Sequence, residues 1–170
     1  MVRRPSEADA AGEVALGLPL PPSAGKLRLA FTLPDEVVSA ACPPPQLSTA
    51  SQFAPASWRE TLERLVAIEP DVRVFGALGW RALTGLDYLS PTSDLDLLWP
   101  TPPGEDATRL VAAILIVEAA APMRLDGELV RPAGAAVNWR ELASGADEVL
   151  VKRLDGVTLQ SRRGFLEGRA

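Results

Sequence analysis

At 170 residues the chain has room for one domain with a real core and a smaller module beside it. With 47% hydrophobic and 23% charged residues it has an ordinary globular composition, and a net charge of −5 argues against nonspecific nucleic-acid binding, which clustered basic residues drive. The absence of histidine removes imidazole bases, Ser-His-Asp triads and His-ligated metals, and the lone Cys42 removes internal disulfides and thiolate zinc sites.

Residues 1 to about 12 are polar, Ala-rich and aperiodic, and predict a frayed start. From Lys26 to Leu33 the apolar residues Leu27, Leu29, Phe31 and Leu33 alternate, the pattern of a half-buried strand that Pro34 closes. A short helix is expected over 35–41. Pro43-Pro44-Pro45 and the Ser/Thr/Gln/Pro-rich stretch to Pro55 then read as a linker, which divides the chain into a small module over 1–45, a linker over 46–56 and a main domain over 57–170.

Ser57 followed by Glu60 makes a capping-box pattern, with Trp58, Leu62, Leu65 and Val66 on one helical face before Glu69-Pro70. Val72 to Phe75 is β-prone and empties into Gly76-Ala77-Leu78-Gly79, followed by a turn or two of helix from Trp80 to Thr84 and a loop over 85–92. Asp94 to Trp99 reads as a second strand. Beyond Pro102-Pro103-Gly104 an amphipathic helix runs from about Glu105 to Ala120, and Met123 to Val130 returns extended. A helix from Trp139 to Ala143, strands near Glu148–Lys152 and Val157–Gln160, and a basic tail at Arg162-Arg163 complete the order. This alternation predicts an α+β, α/β-like fold: a mixed sheet with packed helices, preceded by a small β-containing module.

The longest apolar run, Leu110 to Val117, is ended by Glu118 and falls far short of the roughly 20 residues of a membrane span. Glu7, Asp9 and Glu13 occupy the place where a signal peptide would carry its apolar stretch, so a cytoplasmic protein is expected.

Chemistry concentrates in Ser93-Asp94-Leu95-Asp96-Leu97-Leu98-Trp99. Side chains two apart on a strand share a face, so Asp94 and Asp96 stand together at roughly 7 Å Cα spacing while Leu95, Leu97 and Trp99 bury themselves opposite. Such a pair can hold one or two Mg²⁺ ions between protein and phosphate oxygens; the same spacing also suits an edge strand with a solvated acidic face. Gly76 to Gly79 lies at a strand-to-helix turn, where backbone amides can receive a phosphate, or where the chain simply turns tightly.

The combination of Gly76-Ala77 with Asp94-Leu95-Asp96 resembles the polymerase-β-type nucleotidyltransferase superfamily. The longer string from Val74 to Leu89, continuing through Ser93 to Trp99, is similar to one family within it: malonate decarboxylase holo-acyl-carrier-protein synthase, or phosphoribosyl-dephospho-CoA transferase. Arg124-Leu125-Asp126-Gly127-Glu128, Asn138-Trp139-Arg140-Glu141-Leu142 and Val149-Leu150-Val151-Lys152 extend the likeness over residues 71 to 160. The resemblance implies transfer of the phosphoribosyl-dephospho-CoA unit from its triphosphate precursor to a serine of the acyl carrier protein of malonate decarboxylase, with release of pyrophosphate. It implies Asp94 and Asp96 as Mg²⁺ ligands and catalytic groups, and a third carboxylate on a neighbouring strand, for which Asp126 is chosen with Glu128 in reserve. Asp126-Gly127 also reads as a hairpin turn. Gly76, Ala77 and Ser93 are the expected substrate contacts. Lys152 is another, pointing at the triphosphate or else capping an edge strand; Arg162-Arg163 would meet an acidic carrier protein or form a solvated tail.

Two departures stand out. The superfamily usually has Ser or Gly where this chain has Ala77, which removes a hydroxyl worth about 1.5–3 kcal/mol if it bonded a charged oxygen. Family members usually carry more chain before the point where this one opens at Met1-Val2-Arg3-Arg4, which suggests a shortened first module. The rival expectations are a nucleotidyltransferase using ATP or CTP on another acceptor, and a catalytically inactive adaptor that binds the carrier.

Overall fold

The computed structural model describes residues 12–25, 27–102, 105–132 and 134–168. The frayed start expected at residues 1–11 and the Pro103-Gly104 turn lie outside the described residues.

The chain opens with an antiparallel hairpin of β1 (Glu13–Pro19) and β2 (Arg28–Pro34), in register from Glu13 opposite Pro34 to Pro19 opposite Arg28. Gly17 and Pro19 weaken the pattern of β1, and periodicity missed it. The alternating residues of β2 do share a face, yet they are not half-buried: Leu29, Phe31 and Leu33 are 46%, 40% and 37% exposed. A two-stranded ribbon has too little surface to bury a row of side chains unaided. The helix expected over 35–41 shrinks to a 3-10 turn at Asp35–Val37, with Val38 already extended. So short a helix, with no buried side chain, cannot offset the cost of nucleation.

The stretch whose composition reads as a linker carries α1 (Leu47–Ala50) and 3-10 turns at Ser51–Phe53 and Ala56–Trp58. Leu47 and Ala50 are fully buried, and the Leu47 amide donates to the Val72 carbonyl at 2.9 Å, so this segment packs with the main body. α2 (Arg59–Ile68) starts after the expected cap: Trp58 occupies the N-cap in helical conformation with no side-chain capping bond, because the 3-10 turn already leads the backbone into the helix. Trp58, Leu62 and Leu65 are buried as expected.

There follow β3 (Arg73–Val74), α3 (Gly76–Thr84), β4 (Leu95–Pro100), α4 (Thr108–Glu118), β5 (Leu125–Val130), β6 (Ala136–Asn138), α5 (Trp139–Ala143), β7 (Glu148–Arg153), β8 (Gly156–Ser161) and α6 (Arg162–Leu166). The last six strands form one sheet in sequence order. Only β4 and β5 run parallel, joined by the α4 crossover; every other pair is antiparallel. The fold is therefore the expected α+β arrangement of a mixed sheet with packed helices and a small two-stranded sheet ahead of it.

Along β4 the side chains Leu95, Leu97 and Trp99 are fully buried, as are Leu125 and Leu129 of β5. Leu62 and Leu65 of α2, Ile114 of α4 and Trp139 of α5 join the same core. Helices thus cover the leucine face, and the intervening residues of both strands remain half-buried on the other. The expected basic tail is instead the start of α6, where the Arg162 guanidinium donates to the Leu142 carbonyl at 2.8 Å and Arg163 pairs with Glu167 at 2.8 Å. Buried Phe165 anchors that helix, which brings Arg162 onto the body while the Arg163 side chain stays exposed. No described helix is long and apolar enough to cross a membrane.

Candidate active site

α3 begins four residues earlier than expected, so that Gly76 to Gly79 is the first turn of the helix. Phe75 precedes it in extended conformation, and its amide donates to the Asp96 carbonyl at 3.0 Å, which ties the helix start to β4. Gly76 has a φ of +57°, and a Cβ there would collide with the Asp96 carboxylate, so a residue without a side chain is required twice over. A Cβ on Gly79 would lie 2.9 Å from the Val74 carbonyl, which explains the second glycine as a packing contact between α3 and β3.

Asp94 stands just ahead of β4, and Asp96 projects from the strand's half-buried face. In the parallel register Asp96 lies opposite Asp126 of β5, so the two share a face by strand geometry alone. Asp126-Gly127 is consequently mid-strand and not a hairpin turn. Gly127, with φ +141°, is needed because a Cβ would run into the Leu97 backbone of the adjacent strand. One oxygen of Asp126, Oδ1, accepts from the Gly127 amide at 2.8 Å and from Asn138 Nδ2 at 2.9 Å. Asn138 is itself held, since its Oδ1 caps α5 by accepting from the Arg140 amide at 2.9 Å.

The three carboxylates feel one another. Burial, followed by the charges of Asp126 and Asp94, pushes the Asp96 carboxyl up from its ordinary 3.8 to about 6, against the opposing pull of Arg124 and Arg28. Arg124 Nη1 is 3.6 Å from Asp94 Oδ2. Glu128 also faces this side of the sheet, but two residues further along it meets Lys152, Nζ to Oε1 at 2.6 Å. Lys152 therefore sits on an interior strand, between β6 and β8, with a carboxylate partner.

Beside Asp96 opens a cavity of about 620 Å³. Gly76, Ala77 and Ser93 line it with Asp96 on one side, and the hairpin of β1 and β2 closes the other. The Ser93 hydroxyl accepts from the Ser90 amide at 2.9 Å, fixing the loop before β4. The Tyr88 hydroxyl donates to the Pro19 carbonyl at 3.1 Å and so fastens the hairpin to the main body.

Of the expected site residues, Asp96, Gly76, Ala77 and Ser93 line one cavity; Asp94 and Asp126 are outside its lining but near enough for their charges to act on Asp96, whereas Lys152 is engaged by Glu128 away from the cavity. Nothing in the sequence singles out Arg28, and Arg124 and Asn138 enter only within family-like stretches, with no role assigned to either. Asn138 could have been found, as an Asn ahead of Trp139-Arg140-Glu141 has the form of a helix cap.

Among the described residues no group of three or more Asp, Glu, Cys or His side chains is placed to hold a metal ion, so an ion here would rest on a pair of carboxylates at most. The donors present are hard carboxylate oxygens, and burial, with the neighbouring charges of Asp126 and Asp94 adding to it, has already lifted the pKa of Asp96. They fit Mg²⁺, which is commonly held by one or two carboxylates and completes its shell with substrate phosphates and water.

The family model described as the phosphoribosyl-dephospho-CoA transferase MdcG C-terminal domain matches residues 46–163, and the corresponding N-terminal domain model matches residues 1–44. A phosphoribosyl-dephospho-CoA transferase of Bradyrhizobium diazoefficiens is 47% identical over 98% of this chain and 76% of its own length. Proteins of the same name from Xanthomonas campestris pv. campestris and Xanthomonas euvesicatoria pv. vesicatoria are 39% and 42% identical, over 99% and 100% of this chain and 81% and 82% of theirs. No solved structure matches the chain. With both halves matched and Asp96 lying against a glycine-started helix, this chain belongs to the phosphoribosyl-dephospho-CoA transferase family.

Proposed function

We propose that this transferase moves the phosphoribosyl-dephospho-CoA unit from a triphosphate precursor to a serine hydroxyl of the acyl carrier protein of malonate decarboxylase, releasing pyrophosphate. The supporting observation is that Asp96, with the charges of Asp94 and Asp126 acting on it, lines a cavity that also holds Gly76 and Ala77 from the first turn of α3. In the reaction a bond forms between the serine oxygen and the α-phosphorus, and the bond from that phosphorus to the pyrophosphate oxygen breaks.

Asp94 and Asp96 would hold Mg²⁺, whose chemistry when bound is to neutralise the charge that gathers on the phosphate oxygens. Gly76 and Ala77 bring backbone amides at a helix start, which favour an anion and can stand in for the hydroxyl that Ala77 lacks. Asp126 is the group to take the serine proton: its Oδ1 is committed to two hydrogen bonds, which leaves Oδ2 as the oxygen to accept it. Glu128, paired with Lys152, is the poorer base.

The test is mass measurement of the carrier after incubation with the triphosphate precursor and Mg²⁺. Asp96→Asn should give no adduct while melting cooperatively, and full labelling by that variant would end the proposal. ATP and CTP offered in place of the precursor separate this reading from a simple nucleotidyltransferase, and Mg²⁺-independent carrier binding without pyrophosphate release would mark an inactive adaptor.

A further inference from the structure

The cavity beside Asp96 continues past that carboxylate to a wall that phosphate chemistry does not require. On one side stand Trp80 of α3 and Tyr88 of the following loop, with ring centroids 6.0 Å apart and planes at 27°. Tyr88 is only 9% exposed and its hydroxyl is bound to Pro19, so the ring that supports Trp80 is locked. Trp58, Trp99 and Trp139 are buried in the core, whereas Trp80 is half-buried and lines the cavity. Facing it across the opening are Leu18, Pro19 and Leu29 of the hairpin. Arg28 lines the same space and its charge is felt at Asp96, yet it forms no ion pair among the described residues.

A braced indole, an aliphatic roof and a guanidinium with no ion pair among the described residues, within one space of about 620 Å³, describe a particular ligand chemistry. A flat heteroaromatic base gains from stacking on the indole and from apolar cover on its other face. A phosphate attached to it gains from Arg28. The volume lies within the usual range for nucleotide-sized ligands.

We propose that the hairpin and α3 together form a purine-nucleotide subsite, in which the adenine of the dephospho-CoA moiety lies against Trp80 and its phosphate meets Arg28. The subsite rests on the proposed function for its ligand, because dephospho-CoA is what brings an adenine nucleotide to this enzyme. It also gives the small N-terminal module a task, since the roof and the arginine both come from β1 and β2. The pantetheine arm, long and flexible, has no such need of a rigid aromatic platform and extends outward from the cavity mouth.

The experiment is equilibrium binding by calorimetry to the full, metal-free chain, with dephospho-CoA, AMP, adenosine and 4′-phosphopantetheine as separate probes. Dephospho-CoA and AMP bind, and phosphopantetheine does not compete. Trp80→Leu weakens AMP at least about tenfold, as loss of one stacked base requires, and Trp80→Phe restores most of the affinity. Arg28→Gln weakens AMP but leaves adenosine unchanged. Wild-type affinity for AMP in both the Trp80→Leu and Arg28→Gln variants, or competition by phosphopantetheine with no binding of AMP, overturns the subsite. The same titration on Asp96→Asn separates the two readings: AMP binding persists there whether or not carrier labelling depends on that aspartate.

Discussion

Asp96→Asn should make the metal-free protein more stable while removing its activity. The carboxylate accepts no side-chain hydrogen bond from a described residue, so an isosteric amide forfeits no partner, and its contact with Gly76 is kept. What disappears is a charge held beside two others in a half-buried place. Lifting the pKa from 3.8 to about 6 corresponds to about 3 kcal/mol against the ionised form, at about 1.4 kcal/mol per pH unit. Solvent reaches part of the group, and screening reduces the expected gain to about 1–2 kcal/mol.

The sign follows from linkage. The folded protein binds the proton more tightly than the unfolded chain does, so the penalty is fully present above about pH 6 and vanishes as pH falls to the ordinary 3.8. Urea denaturation in EDTA should therefore show the variant ahead at about pH 8 and level with the wild type near about pH 4. Excess Mg²⁺ should raise the wild-type midpoint and leave the variant's unmoved, since only the wild type gains a ligand-binding site. A variant that is less stable at about pH 8, or a gap that does not narrow on acidification, would refute the picture of a repelling carboxylate cluster.

Asn138→Ala removes both a helix cap and the bond that orients Asp126, and should cost about 1–2 kcal/mol in urea melts together with at least about tenfold in kcat at unchanged KM. Gly76→Ala forces a side chain onto a positive φ and into the Asp96 carboxylate; the expectation is a loss of about 2 kcal/mol or more and no carrier labelling, read by melting temperature and mass. Arg131→Leu strips the carbonyls of Pro102, Glu105, Phe165 and Leu166 of their donor at a site only 5% exposed. Stability should fall by about 3 kcal/mol, with limited proteolysis beginning near α6.

The main sheet was legible where one strand buries one face. In Asp94 to Trp99 the leucines and tryptophan alternate with acids, and that alternation alone sets which residues lie in the core and which face the cavity. α5 and the pair β7 and β8 were also placed from local pattern, with Trp139–Ala143 helical and strands near Glu148–Lys152 and Val157–Gln160, as the structure has them within a residue or two. Local patterns failed where burial is decided by contacts from far along the chain. Residues 46–56 look like a spacer, yet Leu47 and Ala50 fill a place in the core, with the Leu47 amide bonded to the Val72 carbonyl. Leu29, Phe31 and Leu33 look half-buried but lie in a two-stranded sheet that leaves them exposed.

The candidate site divides in the same way. That Asp96 leaves the strand on the face opposite Leu95 and Leu97 follows from the chain's own order because strand geometry is periodic and local, although Asp94, expected beside it on the strand, lies just ahead of β4. That Asp126 lies opposite Asp96, that Asn138 holds it, and that Arg28 reaches the cavity depend on the parallel pairing of β4 with β5 and on the placement of a hairpin some 60 residues earlier in the chain. The linear sequence carries the donors; only the packing of distant strands decides which of them share a space, because through-space repulsion between carboxylates arises once folding has brought them together.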